Sequence, residues 1–366
     1  MHKGRVLFGA MDEVVFGRPA SEALVEQLNA LGYQRAESLV TRAMELSPAD
    51  PSFLDMRNSI LMADKVVAGG RHQNAIWKVF AHRGMGFFAA AADGSDTAPV
   101  EDFSLPPAPH SPKSSIAGTV TDRSTGLPAK GVAVTFGGHA SGFAGSYAAV
   151  TDTDGHYQIK NIFLGTYQKV AAGGAGFESQ IKTVTVAAKP GTVDWSVRRD
   201  WAASQGGAQV AGFNGEDSTG FGCGPGQAID MSQGTGWSSD SVLTAGTAIE
   251  PRFVTVQLPA AVDLTSIEIN PTGNCGDDPS SSTGDYRVET SPDGAAWTVA
   301  ATGHFGTANR NKMNAVTLSA GTSGAKFIRY TMLGTQVADS GGTCPSQFSG
   351  CAFVDTVEIG AYGAPA

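Results

Sequence analysis

Charged residues are scarce in this sequence, at 16% of 366 residues, against about 25% in an average globular protein. Long apolar runs are missing as well, since none approaches the ~18 residues that a membrane-spanning helix needs. Glycine is abundant, with 47 residues, and hydrophobic residues make up 41%. This composition excludes a disordered tail protein, a coiled coil and a basic nucleic-acid-binding protein, and it favours soluble, turn-rich β-structure.

Basic residues are rarest in the last third of the chain. Residues 205–366 contain 6 Lys and Arg against 15 Asp and Glu, whereas residues 1–92 contain 10 against 9 and residues 93–204 contain 9 against 10. An acidic surface repels phosphate backbones and anionic lipids. The sequence therefore predicts no nucleic-acid partner and no membrane span.

Cysteine is limited to four residues in the last third, Cys223, Cys275, Cys344 and Cys351. None of their spacings is the Cys-x-x-Cys of a zinc ribbon or redox motif. An even number in a Gly- and Ser-rich region predicts two disulfides and an oxidising, extracellular compartment. Cys344 and Cys351 flank a six-residue loop and could pair, leaving Cys223 with Cys275, but the sequence leaves all three connectivities open.

The N-terminus does not have the form of a signal peptide, although two disulfides imply export. Asp12 and Glu13 interrupt the apolar stretch, and no Ala-x-Ala cleavage site follows a long hydrophobic region. We favour a signal lost with upstream sequence over export by another route. Whether Met1 is the true start stays open.

Hydrophobic periodicity divides the chain into four segments. Residues 1–90 have the pattern of short helices, and residues 91–114 are Pro-, Ala- and Ser-rich and aperiodic, which is typical of a linker. Residues 115–204 alternate like short strands separated by Gly turns, and residues 205–366 do so with longer loops. The predicted fold class is a short all-α segment followed by two antiparallel β-sandwiches, the second a jelly roll.

The helical segment gives specific local predictions. The residues Leu39, Val40, Ala43 and Met44 share one predicted apolar helix face. The next helix is expected to begin at N-cap Asp50, with Pro51 at the first helical position.

No catalytic metal site is found in the sequence. A zinc peptidase of the His-Glu-x-x-His type needs two histidines four positions apart on one helix face, with a glutamate between them. The seven histidines include no such pair, and no His-Glu dipeptide occurs. His72 and His82 lie roughly 15 Å apart along a helix axis, too far to share a metal. We therefore predict no catalytic residue and no zinc ligand in this chain.

Two weaker site predictions concern the acidic third. Asp277, Asp278 and Asp285 lie in one Gly/Ser/Asp-rich loop region, where three carboxylates could hold calcium with backbone carbonyls. A solvated loop is the simpler interpretation. A second candidate is Arg310, which with the adjacent amides Asn309 and Asn311 could contact a polar ligand. Trp237 and Trp297 could stack on a sugar, but we expect a core role for both.

The helical segment resembles the C-terminal end of the fungalysin family of secreted zinc metallopeptidases. The matching stretches are PADPSF at 48–53, AD at 63–64, GG at 69–70 and IWKVFAHRGMG at 76–86. In that family the zinc-binding helix precedes the matched segment. The resemblance therefore implies zinc and protein substrates for a full-length parent, while the chain as given has no activity of its own.

The two predicted sandwiches resemble two further families. GTVTD at 118–122, TGLP at 125–128 and TDTDGHY at 151–157 are similar to the carboxypeptidase regulatory-like, prealbumin-type domain. AID at 228–230, TGWSS at 235–239 and YRVETSPDGAAW at 286–297 resemble the discoidin-like, coagulation-factor type-C domain of the galactose-binding type. Variable loops choose the ligand in the latter family, so carbohydrate, lipid and protein stay open, and the acidic balance weighs against anionic lipid.

Two hypotheses for function follow. The first is the C-terminal portion of a secreted multidomain zinc metalloendopeptidase, in which the prealbumin-like domain is a spacer and residues 205–366 dock on a cell-surface glycan or protein. The alternative is a non-catalytic extracellular adhesion or carbohydrate-binding protein.

Overall fold

The structure is a computed structural model, and it describes residues 33–48, 51–94, 96–143, 145–240, 243–244 and 248–366. It contains two compact units. The first comprises the described residues up to Val120 with Ala129–Ala172 and Ser179–Trp195, and the second comprises Thr121–Pro128, Gly173–Glu178 and Ser196–Ala366. The division therefore falls inside the segment 115–204 that the sequence assigns to one sandwich.

The helices of the described residues are α1 (Tyr33–Leu46), α2 (Phe53–Ala68) and α3 (Gln73–His82). Helix α2 begins after Ser52, whose hydroxyl accepts from the Asp55 backbone N–H while the Asp55 carboxylate accepts from the Ser52 backbone N–H. This reciprocal capping box satisfies two otherwise unpaired donors. The predicted N-cap at Asp50 is therefore wrong, and Asp50 itself lies outside the described residues.

The predicted apolar face of α1 is only half confirmed. Leu39 and Ala43 pack on Ala63 of α2. Val40 and Met44, in contrast, are 47% and 66% exposed. The helix buries a stripe narrower than the usual amphipathic face, because only α2 packs closely on it among the described elements.

The strands of the described residues are β1 (Lys113–Asp122), β2 (Ala133–Phe136), β3 (Ala148–Val150), β4 (His156–Phe163), β5 (Gly165–Gly174), β6 (Phe177–Val186), β7 (Gly191–Thr192), β8 (Trp195–Val197), β9 (Gln209–Phe213), β10 (Trp237–Asp240), β11 (Leu243–Thr244), β12 (Ala248–Ile249), β13 (Arg252–Asn270), β14 (Asp285–Ser291), β15 (Thr298–His304), β16 (Asn314–Val316), β17 (Ala325–Met332), β18 (Phe353–Thr356) and β19 (Glu358–Pro365).

The first sandwich is built from two four-stranded sheets. One has the order β4–β1–β7, with β8 also paired to β1, and the other has the order β3–β2–β5–β6. Strands β1 and β4 are antiparallel, whereas the two-residue β7 runs parallel to β1. Val120, Val134 and Phe136 are fully buried, and the alternation of buried and exposed side chains agrees with the predicted half-buried strands.

The segment 91–114, predicted as a linker, is fixed to the first unit. Asp96 forms an ion pair with Lys169 and accepts hydrogen bonds from the Ala92 and Ala98 backbone N–H groups. These contacts lower the pKa of Asp96 despite its burial. Asp96 and the described residues beside it are therefore held in place by these contacts.

The second sandwich is organised around β13, which is 19 residues long. Its first half pairs with β17 and β9, and its second half pairs with β16 and β19. The core contains Trp237, Ile267, Ile269, Ile328 and Ile359, each with no exposed surface. The structure confirms the predicted fold class of a short helical segment followed by two β-sandwiches.

Candidate functional site

Three loops of the second sandwich converge on one surface, which we call the loop face: residues 273–284, 305–313 and 333–351. The Gly350 backbone N–H donates to Ser280 Oγ at 3.0 Å, and the Gln336 backbone N–H donates to the Ser280 carbonyl at 3.1 Å. The Phe305 backbone N–H donates to the Gly284 carbonyl at 2.9 Å. These hydrogen bonds hold the three loops together, which favours a preformed surface.

Both disulfides lie at this end of the sandwich. Cys223 is bonded to Cys275 and Cys344 to Cys351, so one of the three connectivities left open by the sequence is selected. The first bond fastens the turn that contains Phe221, whose side chain is 82% exposed, to the loop that begins at Gly273. Cross-links of this kind restrict the unfolded chain and hold exposed loops in place.

Arg310 lies within the loop face. Its Nε donates to Gln336 Oε1 at 2.7 Å and its Nη2 donates to Ser340 Oγ at 2.8 Å. Burial lowers the pKa of the guanidinium somewhat. Nη1 has no hydrogen-bond partner among the described residues, so a fixed cationic donor is available to a ligand.

The neighbouring residues Asn309 and Asn311 have a structural role in the turn, in addition to the ligand contact that the sequence suggested. Asn309 Oδ1 accepts from the Gly306 backbone N–H at 3.0 Å and its Nδ2 donates to Asn314 Oδ1 at 2.9 Å. Asn311 has a φ of 58°, in the left-handed region that asparagine tolerates. Both amides therefore shape the turn that presents Arg310, and a ligand contact by either stays a prediction.

The three aspartates of the predicted calcium site are engaged separately. Asp278 accepts from the backbone N–H groups of Ser280 and Ser349, both at 2.8 Å, and hydrogen bonds to these two residues lower its pKa. Asp277 contacts Ser238 Oγ at 3.3 Å, and burial raises its pKa. Within the described residues no group of three or more His, Cys, Asp or Glu side chains could hold a metal ion.

The third aspartate, Asp285, belongs to a histidine cluster that sequence reasoning missed. His304 Nδ1 lies 2.8 Å from Asp285 Oδ1, and His304 Nε2 lies 3.1 Å from Asp339 Oδ1. The hydrogen bonds to Asp339 and Asp285 raise the pKa of the imidazole. No local signal could have identified this cluster, because its members are 19 and 35 positions apart.

We expect His304 to make the stability of the second sandwich weakly pH-dependent. A raised pKa in the folded state gives stability that is fully present below the unfolded pKa of about 6.5 and is lost as pH rises through the folded value. Since the side chain is 48% exposed, solvent screening limits the effect to about 0.5 kcal/mol. His304→Gln should therefore lower the free energy of unfolding more at pH 5.5 than at pH 8.5, as measured by urea titration. An equal loss at both pH values would contradict this assignment.

Glu358 and Asp355, like Asp200, are carboxyl groups buried in the second unit. Glu358 is 2% exposed, and hydrogen bonds from the backbone N–H groups of Met231 and Ile359 only partly offset its burial. Burial, followed by the charges of Asp200 and Asp230, raises its pKa to about 9. Asp355 has no exposed surface and its Oδ1 is unpaired, and burial raises its pKa to about 7.

The two tryptophans differ in their surroundings. Trp237 is fully buried in the core, as predicted. Trp297 is not part of that core, and the Arg329 guanidinium lies 3.9 Å from the centroid of its ring. The expected core role of Trp297 is therefore wrong, because the residue follows the turn after β14 instead of lying within a strand.

Three protein-family models match consecutive parts of the chain. Residues 5–89 match the fungalysin metallopeptidase (M36) model, residues 115–198 the carboxypeptidase regulatory-like domain and residues 203–344 the F5/8 type C domain. These matches confirm the three resemblances. The chain thus combines segments that are similar to a metallopeptidase, to a carboxypeptidase regulatory-like domain and to an F5/8 type C domain.

Curated relatives that are extracellular metalloproteinases match a short part of the chain. An extracellular metalloproteinase MEP from Neosartorya fischeri is 46% identical over 55 residues, which are 15% of this chain and 9% of that protein. Extracellular metalloproteinase 2 from Arthroderma gypseum is 33% identical over 81 residues, 22% of this chain and 13% of that protein. The chain therefore spans about a tenth of the length of the curated relatives that it matches.

Solved structures match less than half of the chain, and only distantly. A CBM32 module from a Clostridium perfringens family 31 glycoside hydrolase has 21% identity and a TM-score of 0.33, covering 44% of this chain and 95% of the module. A putative chitobiase fragment from Bacteroides thetaiotaomicron has 18% identity and a TM-score of 0.34, covering 44% and 90%. Among the described residues, no helix has the length and apolar character to cross a membrane.

Proposed function

We propose that this chain is the C-terminal portion of a secreted zinc metalloendopeptidase, with the second sandwich acting as a surface-binding module. The order of the three family matches, from fungalysin to F5/8 type C, is the observation that carries the proposal. The curated relatives that match a short part of the chain are named as extracellular metalloproteinases. Zinc and the cleavage of protein substrates belong to the parent enzyme, since the sequence contains no His-Glu-x-x-His motif.

The loop face is the part of the module that we assign to binding. The loop face offers the fixed Nη1 of Arg310. Two groups are joined to it: the His304 imidazole, which contacts Asp339 of the loop face, and the exposed ring of Phe221, two residues from the Cys223–Cys275 disulfide. Donors, acceptors and one aromatic ring suit a glycan hydroxyl pattern or a polar protein epitope. Tethering a peptidase to such a surface raises the effective concentration of its substrate without any new catalytic group.

Binding of the 366-residue chain to glycan and protein arrays tests the module. We expect saturable binding that Arg310→Ala weakens about tenfold or more, since charge-assisted hydrogen bonds contribute roughly 1.5–3 kcal/mol. Lys326→Gln, which removes a cation from β17 outside the loop face, is the matched control and should keep wild-type affinity. Equal losses in both variants, or no binding, would contradict the assignment.

The peptidase part is tested separately. The sequence upstream of Met1 should encode an in-frame His-Glu-x-x-His motif. The chain alone should show no zinc-dependent cleavage of casein, that is, no release of peptides that phenanthroline abolishes. An uninterrupted non-coding region upstream would favour adhesion instead, and casein cleavage by the chain alone would show that a metal site had been overlooked.

A further inference from the structure

Arg329 is held between two aromatic rings on the outer face of the second sandwich. Its guanidinium carbon lies 3.9 Å from the Trp297 ring centroid and 4.8 Å from that of Phe253. Its Nε donates to Thr255 Oγ1 at 3.1 Å. The two terminal nitrogens have no hydrogen-bond or ion-pair partner among the described residues, so the planar donor fork is positioned by the protein but unused by it.

Strand register places further side chains beside Arg329. Arg329 lies opposite Glu289 of β14 and Thr255 of β13. The intervening residues Val288, Ile328 and Val254 are fully buried, so Arg329, Glu289 and Phe253 point away from the core. Arg287, two residues before Glu289, shares this face, and its Nε lies 3.2 Å from Glu289 Oε2. We call Phe253, Arg287, Glu289, Trp297 and Arg329 the sheet-face cluster.

The charge of this cluster is unusual for its surroundings. Residues 205–366 contain only 6 basic residues against 15 acidic ones, yet two of the six belong to the cluster. The single carboxylate of the cluster, Glu289, is paired with Arg287, and its side chain is only 14% exposed. One guanidinium is therefore left without a counter-charge, which favours a ligand that carries its own carboxylate.

We propose that the sheet-face cluster is a second binding site, which takes a carboxylated glycan chain such as a polyuronate. The ligand carboxylate would pair with the terminal nitrogens of Arg329, and the aliphatic faces of the sugar rings would lie against Trp297 and Phe253. The site goes beyond the proposed function, because that function rests on the loop face and not on these strands.

Position within the sheet favours a glycan over an extended peptide. Strand β17 pairs with β14 on one side and with β13 on the other, so both of its hydrogen-bonding edges are occupied at Arg329. An extended peptide binds a sheet mainly by backbone hydrogen bonds to a strand with an unpaired edge. Strand β17 has no unpaired edge at Arg329. A polysaccharide needs only side-chain donors and apolar rings, both of which this face provides.

Isothermal titration of the full chain with polygalacturonate and with its methyl ester tests the proposal. The ester keeps the sugar rings and removes the negative charge. The titrations are done at about 150 mM salt. At this concentration the salt screens the repulsion between the ligand and acidic side chains that lie more than about 8 Å from it. We expect binding of polygalacturonate and at least tenfold weaker binding of the ester.

The variants Arg329→Gln and Arg329→Lys should each weaken polygalacturonate binding about tenfold or more, since bidentate charge-assisted pairing is lost in both. Arg329→Lys keeps the positive charge and serves as the variant that is safer for folding, with thermal unfolding as the check on both. The matched control is Lys160→Gln, which removes an exposed cation from β4, outside both the loop face and the sheet-face cluster, and should change affinity less than twofold.

Four outcomes would overturn the proposal. These are no binding of polygalacturonate, equal binding of its ester, equal losses in the Arg329 and Lys160 variants, and equally tight binding of poly-glutamate. Arg310→Ala should leave this binding unchanged. Failure of the loop-face proposal is thereby distinguishable from failure of this one.

Discussion

Replacing Glu358 with glutamine should raise the free energy of unfolding at pH 7 in a metal-free buffer by about 3 kcal/mol, on the basis of 1.36 kcal/mol per pKa unit. The folded protein holds the Glu358 proton up to about pH 9, while the unfolded chain releases it near pH 4.5. A raised pKa gives stability that is complete below the unfolded value and is lost as pH rises towards the folded value. Glutamine carries no proton to lose, so the variant escapes this penalty.

Urea unfolding of both proteins at pH 4.5, 7 and 9 in EDTA measures the effect. The gain from Glu358→Gln should be small at pH 4.5 and should grow up to pH 9, where the folded protein also begins to ionise. Glu216→Gln is the matched control, because Glu216 is exposed, and its effect should be below 0.5 kcal/mol at every pH, as for ordinary surface changes. A destabilised Glu358→Gln protein at pH 7 would show that the buried carboxyl has a partner that this interpretation omits.

Local patterns in the sequence were sufficient for the architecture. Alternation in β1 and β4 and the Gly-containing turns predict strands correctly, because each of these strands buries one face and exposes the other. The N-cap at Asp50 was wrong although the sequence contains a better one, since Ser52 with a carboxylate at Asp55 forms a complete capping box. With Pro51 taken as the first helical position, the predicted start lies two residues before the observed start at Phe53.

The electrostatic features of the site could not be predicted in the same way. Glu358 lies in β19, where residues 358–363 are all buried, so the period-two rule that separates core from surface fails. The partners of His304 and Arg310 come from strands and loops up to 35 positions away. Such pairs depend on register and loop geometry, which no local pattern contains.

The contacts of Arg57 lead to the second large prediction. This residue has no exposed surface, and its Nη1 donates to the carbonyls of Met85 at 3.2 Å and Gly86 at 2.7 Å. Its Nη2 donates to the Gly138 carbonyl, and the guanidinium lies 4.8 Å from the Trp77 ring centroid. Burial lowers its pKa to about 10, so it stays charged at neutral pH and is compensated by carbonyl dipoles.

Arg57→Met should destabilise the first unit by about 3–5 kcal/mol, because two to three buried carbonyls each lose a donor at a cost of roughly 1–3 kcal/mol. Arg57→Lys should lower the free energy of unfolding by about half as much. One ammonium keeps the charge, but it cannot place donors at the positions of both Nη1 and Nη2. Arg71→Met is the matched control, because Arg71 is bonded only to the Ala68 carbonyl at an exposed site. Its effect should stay within about 0.5 kcal/mol.

Hydrogen exchange followed by mass spectrometry shows which segments lose stability in Arg57→Met. This measurement is needed because a chain of two units need not unfold in one step. In Arg57→Met, the amides of α2, of residues 85–91 and of residues 133–139 should exchange faster together, while those of β13 and β17 keep wild-type rates. Faster exchange in α2 alone would mean that Arg57 serves the helix and not the junction with the sandwich. The fungalysin-like helices and the prealbumin-like strands would then be separate folding units, contrary to what the three carbonyl contacts imply.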